Sequence, residues 1–204
     1  MTKKEEIIIA MTIGDGHLRM NKRGKNASFE IEHSTKQKEY LLYKKNILEK
    51  ILKIEGRIYE NNKKNSIRVS FKTNILFTNI YNKMYIEKRK TLINIMDVFS
   101  ETMIVFLFLD DGTAKTKKTK KGTFIDQFAF STNCFSFEEC KLLKNKMEEL
   151  WGIKANIATD RGQPRITISN KKDKEILKSM LEQHINKIPS MSYKISKKIC
   201  QNDL

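Results

Sequence analysis

Two carboxylates occupy the same kind of place in this sequence. Asp15 closes the run IIIAMTIGDGHL (7–18), and Asp111 closes IVFLFLDDG (104–112). Each follows an apolar stretch of helical character and precedes a glycine and a group of cations. The cations are Arg19, Lys22, Arg23 and Lys25 in the first case, and Lys115, Lys117, Lys118, Lys120 and Lys121 in the second. A carboxylate at a helix C-terminus opposes the helix dipole and costs roughly 0.3–1 kcal/mol unless a cation compensates, so its recurrence asks for a reason. Two such helices packed side by side would bring Asp15 and Asp111 together, and paired carboxylates repel unless a divalent cation sits between them. Oxygen-only ligation suits Mg²⁺, which can bridge carboxylates and a phosphate. Metal-bound water beside a phosphodiester is a hydrolytic nucleophile. The competing explanation is a pair of simple turns, which Asp-Gly readily initiates.

The elements that would position these residues repeat with a period of about 96. In the first half an apolar helix (5–14) leads into a basic loop, then SFEIEH (28–33), which alternates like a strand. A long amphipathic helix follows at 35–54, then the strands GRIYE and SIRVSFK around the turn NNKKN, then a helix at 73–86. The second half repeats the order: a helix at 100–110, a basic loop, the strand DQFAFST and the helix SFEECKLLKNKMEELWG. Ser136 is its N-cap and Gly152 its stop. The strands IKANIAT and PRITIS around DRGQ, and a helix at 172–186, complete it. Both halves read α-β-β-α-β-β-α, which predicts an α+β fold of two pseudo-two-fold related units, 1–98 and 99–204. Strand alternation turns Ile67, Val69 and Phe71 inward and Arg68, Ser70 and Lys72 outward. Ile166 and Ile168 likewise go in, and Arg165, Thr167 and Ser169 out. Antiparallel sheets with one apolar and one polar-basic face can lay the second against a duplex, although a solvated face has the same pattern.

The charge balance points to the same partner. Among 204 residues, 40 Lys+Arg against 24 Asp+Glu give +16 and a pI near 9.7. That favours an anionic polymer, most simply nucleic acid. No apolar stretch approaches membrane-span length, and MTKKEEIIIA has neither a signal-peptide nor a transit-peptide pattern. Cys134, Cys140 and Cys200 lack CxxC spacing, which argues against a zinc site or disulfide framework and for reduced, intracellular thiols. The wealth of Lys, Asn, Ile and Phe fits an AT-rich organelle, phage or bacterial genome without distinguishing them.

IIAMTIGDG (8–16) and IVFLFLDDG (104–112) resemble the two signature motifs of the LAGLIDADG homing endonucleases, in the single-chain, two-motif branch. The resemblance covers nearly the whole chain. It implies site-specific, Mg²⁺-dependent cleavage of double-stranded DNA, with Mn²⁺ able to substitute, by a monomer. It further implies motif helices at the interface between the units and saddle-shaped sheets in the major groove. By position, the family's metal-binding acids fall on Asp15 and Asp111, and the main-chain carbonyls of Gly14 and Asp110 are further candidate ligands. A lysine late in each half would be Lys90 in KRKTL and Lys194 in PSMSYKI. A polar residue near metal-bound water would be Glu32 or His33, and Ser131 or Thr132. The motifs also depart from the pattern. The small central residue is Ala10 in one and Phe106 in the other, and Gly14 is matched by Asp110. This predicts an asymmetric contact in which Phe106 fills the space left by Ala10 and Gly14, and motif register selects Asp111 over Asp110 as the ligand. The candidate DNA-binding residues are the basic residues of the two loops with Arg68, Lys72, Arg161 and Arg165. Gln37, Lys38, Asn61, Asn62 and Gln163 are further possible contacts. An intron RNA maturase or a cleavage-deficient DNA-binding protein of the same ancestry is the alternative, and a basic structural nucleoprotein the third.

Overall fold

The computed structural model describes residues 1–21, 24–120 and 122–195. Lys22, Arg23, Lys121 and Cys200 lie outside the described residues. The chain forms two compact units, residues 1–110 and 111–204. The sequence repeat divides at 98/99, whereas compactness divides the chain later. The second motif helix is therefore built almost wholly into the first unit.

In the first unit, α1 (Lys3–Ile13) starts at a capping box between Thr2 and Glu5. β1 (Gly16–Met20) and β2 (Ala27–Ser34) follow, then α2 (Lys38–Leu52), β3 (Arg57–Asn61), β4 (Ser66–Asn74) and α3 (Ile75–Met84). A small hairpin, β5 (Tyr85–Ile86) and β6 (Arg89–Lys90), turns through Glu87 and Lys88, both at positive φ, as a two-residue primed turn requires. α4 (Glu101–Asp111) ends the unit. Residues 8–13 of α1 and 103–109 of α4 are all buried, so both helices are core on every side. The sheet is antiparallel in the order β1-β2-β4-β3.

The second unit repeats this with β7 (Gly112–Thr119), β8 (Gly122–Phe130), α5 (Phe137–Trp151), β9 (Asn156–Asp160), β10 (Gln163–Ile168) and α6 (Lys171–Ile185). Its sheet runs β7-β8-β10-β9, again antiparallel. Ser136 caps α5 in a capping box with Glu139, and Gly152 ends it in the left-handed region at φ 67°. A 3-10 helix at Pro189–Lys194 follows α6. Among the described residues no helix is long and apolar enough to cross a membrane.

The expected α+β architecture is present, with one correction: the first basic segment begins as strand β1, which carries Arg19, and the second is strand β7 as far as Thr119. GHLRM alternates buried and exposed along β1, and the lysine run after Gly112 is β7 paired to β8 from Gly112↔Phe130 to Thr119↔Gly122. Threonines 113, 116 and 119 supply β-branched residues between the lysines, and pairing to the apolar β8 outweighs lysine's weak strand preference.

Candidate active site

α1 delivers Asp15 to a partly exposed position, 36% accessible at its side chain, immediately before β1. Its surroundings are built from three buried polar residues of the same unit. His33 points inward from β2, Lys44 lies on the buried stripe of α2 beside Tyr40, Leu41 and Leu48, and Asp110 ends α4. The Asp110 carboxylate and the Lys44 side chain are fully buried.

Asp110 Oδ1 accepts from Lys44 Nζ at 2.5 Å and from Tyr40 Oη at 2.7 Å, while Oδ2 accepts from the Asp15 main-chain N–H at 2.9 Å. Lys44 Nζ also lies 3.2 Å from His33 Nε2, and His33 Nδ1 lies 3.3 Å from Asp15 Oδ2. An ammonium has no lone pair, so His33 Nε2 must be the acceptor; Nδ1 then carries the ring proton and donates to Asp15. The four residues close a circuit: Asp15 N–H to Asp110, Lys44 to Asp110, Lys44 to His33, His33 to Asp15. Burial alone would raise the Asp110 carboxyl, but the Lys44 ammonium and the hydrogen bonds it receives hold it below the ordinary carboxylate range. Burial and the neighbouring Asp110 charge push the Tyr40 phenol well above its usual value, so it stays a donor.

This bears on two expectations about the motif's unusual residues. A Cβ built on Gly14 would overlap the Asp110 carboxylate, so the space at Gly14 is filled by Asp110 rather than by Phe106. Of the adjacent carboxylates, Asp110 is turned inward and committed to Lys44, Tyr40 and Asp15. Ligand atoms of Asp15, His33 and Asp110 do lie within 4.8 Å of one another. The Lys44 ammonium already contacts two of the three groups, however, so a metal ion placed among them would meet a cation at contact distance.

The two lysines named from the resemblance each contact main-chain carbonyls beside a motif carboxylate. The β5–β6 hairpin carries Lys90, whose Nζ donates to Gly14 O at 2.7 Å and Gly16 O at 3.1 Å. In the second unit the 3-10 helix carries the buried Lys194, whose Nζ donates to Gly112 O at 2.6 Å. Gly16 and Gly112 are equivalent motif positions, so each half places an ammonium on the same main-chain carbonyl, one residue past the motif carboxylate. Asp111 opens the second unit half-buried, and its own carbonyl accepts from Ser131 N at 2.9 Å.

Arg19 on β1 and Lys72 on β4 are exposed, as is Lys25 in the segment before β2. Arg68 is half-buried beside Glu30 at 3.5 Å and over the Tyr59 ring at 5.4 Å. Lys115 and Lys117 share one face of β7, whereas Lys118 takes the opposite alternation and Lys120 the turn. Arg161 is exposed in the turn before Gly162, at φ 52°. Arg165 is half-buried against Asp160 at 3.4 Å, and Lys38 pairs with Glu60 at 2.7 Å. Sequence reasoning missed Lys44 altogether, and it named His33 only as one of two alternatives. A signal for Lys44 existed in the repeat: the buried stripe Tyr40, Leu41, Lys44 and Leu48 of α2 corresponds to Glu139, Cys140, Leu143 and Met147 of α5, which sets a lysine opposite a leucine.

Comparison with known proteins agrees with this fold. The chain is similar over 96% of its length, and over 87% of the other chain, to the homing endonuclease I-WcaI bound to its DNA recognition sequence, with a TM-score of 0.75 at 22% identity. It is similar to I-DmoI in complex with DNA and Mn, with a TM-score of 0.56 at 15% identity over 87% of this chain and 96% of that one. The N-terminal LAGLIDADG domain of DUF199/WhiA matches with a TM-score of 0.52 at 13% identity, over 88% of this chain and 84% of the other. No curated protein sequence matches the chain. The LAGLIDADG DNA endonuclease family matches residues 5–176, motif helices and sheets of both units included, and the chain belongs to that family.

Proposed function

We propose that the protein is a site-specific endonuclease that cuts both strands of a long DNA target with divalent metal ions held at Asp15 and Asp111. One observation carries this reading. The same arrangement, a carboxylate ending an apolar helix with a lysine ammonium on the next carbonyl, occurs at Asp15 with Lys90 and again at Asp111 with Lys194. A structural nucleoprotein has no need to place an acid against the helix dipole twice. The DNA-bound I-WcaI and the DNA- and Mn-bound I-DmoI support duplex DNA and a divalent ion.

The donors fit such an ion. The Asp15 and Asp111 carboxylates and the main-chain carbonyl of Asp110 are hard oxygens, as Mg²⁺ and Mn²⁺ prefer, whereas the Gly14 carbonyl already accepts from the Lys90 ammonium. When bound, the metal supplies an activated water and withdraws charge from the scissile phosphate. The protein's own groups do the rest. Asp15 and Asp111 hold the ions, Lys90 and Lys194 add positive charge where the phosphate becomes more anionic, and the outward lysines and arginines of the sheets hold the backbone. A single chain with both motifs suits action as a monomer, and its net charge of +16 suits intron RNA as a second polyanionic partner.

The test is cleavage of a randomised duplex library in Mg²⁺, with the cut ends sequenced. One long preferred site is expected. Asp15→Asn and Asp111→Asn should each abolish double-strand cleavage while leaving duplex binding within about tenfold, since ligation and backbone contact are separate functions. Mn²⁺ should replace Mg²⁺, and Ca²⁺ should support binding with little cutting. Undiminished cleavage by either variant overturns the reading. Specific binding without cleavage by the parental protein would favour a DNA-binding or maturase role instead.

A further inference from the structure

Resting on the endonuclease reading, we infer that His33, Lys44 and Asp110 are positioning residues for Asp15 alone, so that the two DNA strands are cut by unequally supported sites. The circuit grips Asp15 twice. Asp110 Oδ2 holds its main-chain N–H, and His33 Nδ1–H holds its carboxylate oxygen Oδ2. Both grips are anchored by one buried cation, Lys44, which is bonded to Asp110 Oδ1 and His33 Nε2. A carboxylate with its main chain and one oxygen fixed presents its lone pairs to a metal in one direction, and such supporting hydrogen bonds typically matter about 10–100-fold in affinity or activity.

At the three equivalent positions the second half carries other residues. Gly16 pairs with Ile31 and Gly112 with Phe130, which aligns His33 with Thr132 two residues on. The buried helix stripes align Lys44 with Leu143, and the motifs align Asp110 with Gly14. The Thr132 hydroxyl donates to Pro164 O at 3.0 Å. The two exceptional charges, Asp110 and Lys44, are thus partners of each other. Each stands where the repeat has an uncharged residue, and each would be an unpaired buried charge without the other.

Double substitution separates positioning from folding. Lys44→Met and Asp110→Asn each strand a buried group, whereas the two together remove both charges with little change of shape. The double variant should therefore melt closer to the parental protein than either single variant does. On the selected target, labelled separately on each strand, it should nick one strand about 10-fold more slowly in a single turnover and the other within about twofold. Calorimetric titration of Ca²⁺ into the protein–duplex complex should show a matching loss of affinity, independent of cutting. His33 gives a finer test. His33→Asn keeps a donor near Nδ1 and should retain more activity on that strand than His33→Gln, which keeps only a group near Nε2. A cutting parental protein whose variants slow both strands equally, or neither, overturns this inference alone. A parental protein that cuts no duplex overturns the endonuclease reading and this inference with it.

Discussion

At the residue scale, the chemistry of the site is set by where positive charge is spent. Lys90 and Lys194 donate to main-chain carbonyls at the ends of the motif helices, where the dipole is negative, so each offsets the cost of the neighbouring Asp. Their ammonium groups are held in place before any phosphate arrives, which is the condition for stabilising charge that develops during reaction. Lys90→Ala and Lys194→Ala should therefore lower the single-turnover cleavage rate by about 10²–10³ while changing duplex affinity only a few-fold. Weaker binding with an unchanged rate would demote both to phosphate contacts. The two should differ in stability. Lys194 is buried, so its loss leaves the Gly112 carbonyl without that donor and should cost about 1–3 kcal/mol in denaturant unfolding, more than the half-exposed Lys90.

At the scale of elements, what the sequence displays is what periodicity and capping encode locally. The apolar runs of α1 and α4, the N-cap at Ser136 and the stop at Gly152 depend on near neighbours and were legible. β1 and β7 were not, because lysine and arginine side chains mask a two-residue alternation that becomes decisive only once β2 and β8 are present to pair with. Lys44 was hidden for a stronger reason. A lysine on an apolar stripe reads as a solvated exception until a carboxylate 66 residues away in sequence explains it. A second link between elements is legible only in three dimensions: Glu6 of α1 accepts from Ser100 Oγ, just before α4, at 2.7 Å. Burial raises the Glu6 carboxyl, and hydrogen bonds from Lys3 and Ser100 more than reverse this, leaving it lowered. A lowered folded value means stability that is present above the unfolded carboxylate range and lost as pH falls through the folded value. Glu6→Gln should therefore flatten the acid limb of a stability-against-pH curve and leave the neutral-to-basic limb parallel to the parental one. An unchanged acid limb would show that this link does not couple to folding.

At the scale of the whole molecule, a charge of +16 gives attraction to any polyanion, so grip on a particular duplex must come from cations that the strands aim the same way. Recasting the second basic stretch as β7 sharpens this. Lysines in a flexible loop could all reach phosphates, but strand geometry places Lys115 and Lys117 together, with Lys118 on the other face and Lys120 at the turn. Each phosphate neutralised contributes about −0.9 to the slope of log K against log salt. Lys115→Gln with Lys117→Gln should therefore flatten that slope by about two units. Lys118→Gln should flatten it by less than about one, because a charge on the opposite face acts only through the long-range field that salt screens. Base preference should barely move in either variant, since phosphate contacts position the protein without reading sequence. Equal effects of Lys117→Gln and Lys118→Gln would mean that the hairpin tip twists away from the sheet and meets the duplex edge-on. A slope unchanged within about one unit for the double variant would mean that β7 does not touch phosphate at all, leaving exposed cations such as Lys72 of β4 and Arg161 of the β9–β10 turn to hold the DNA.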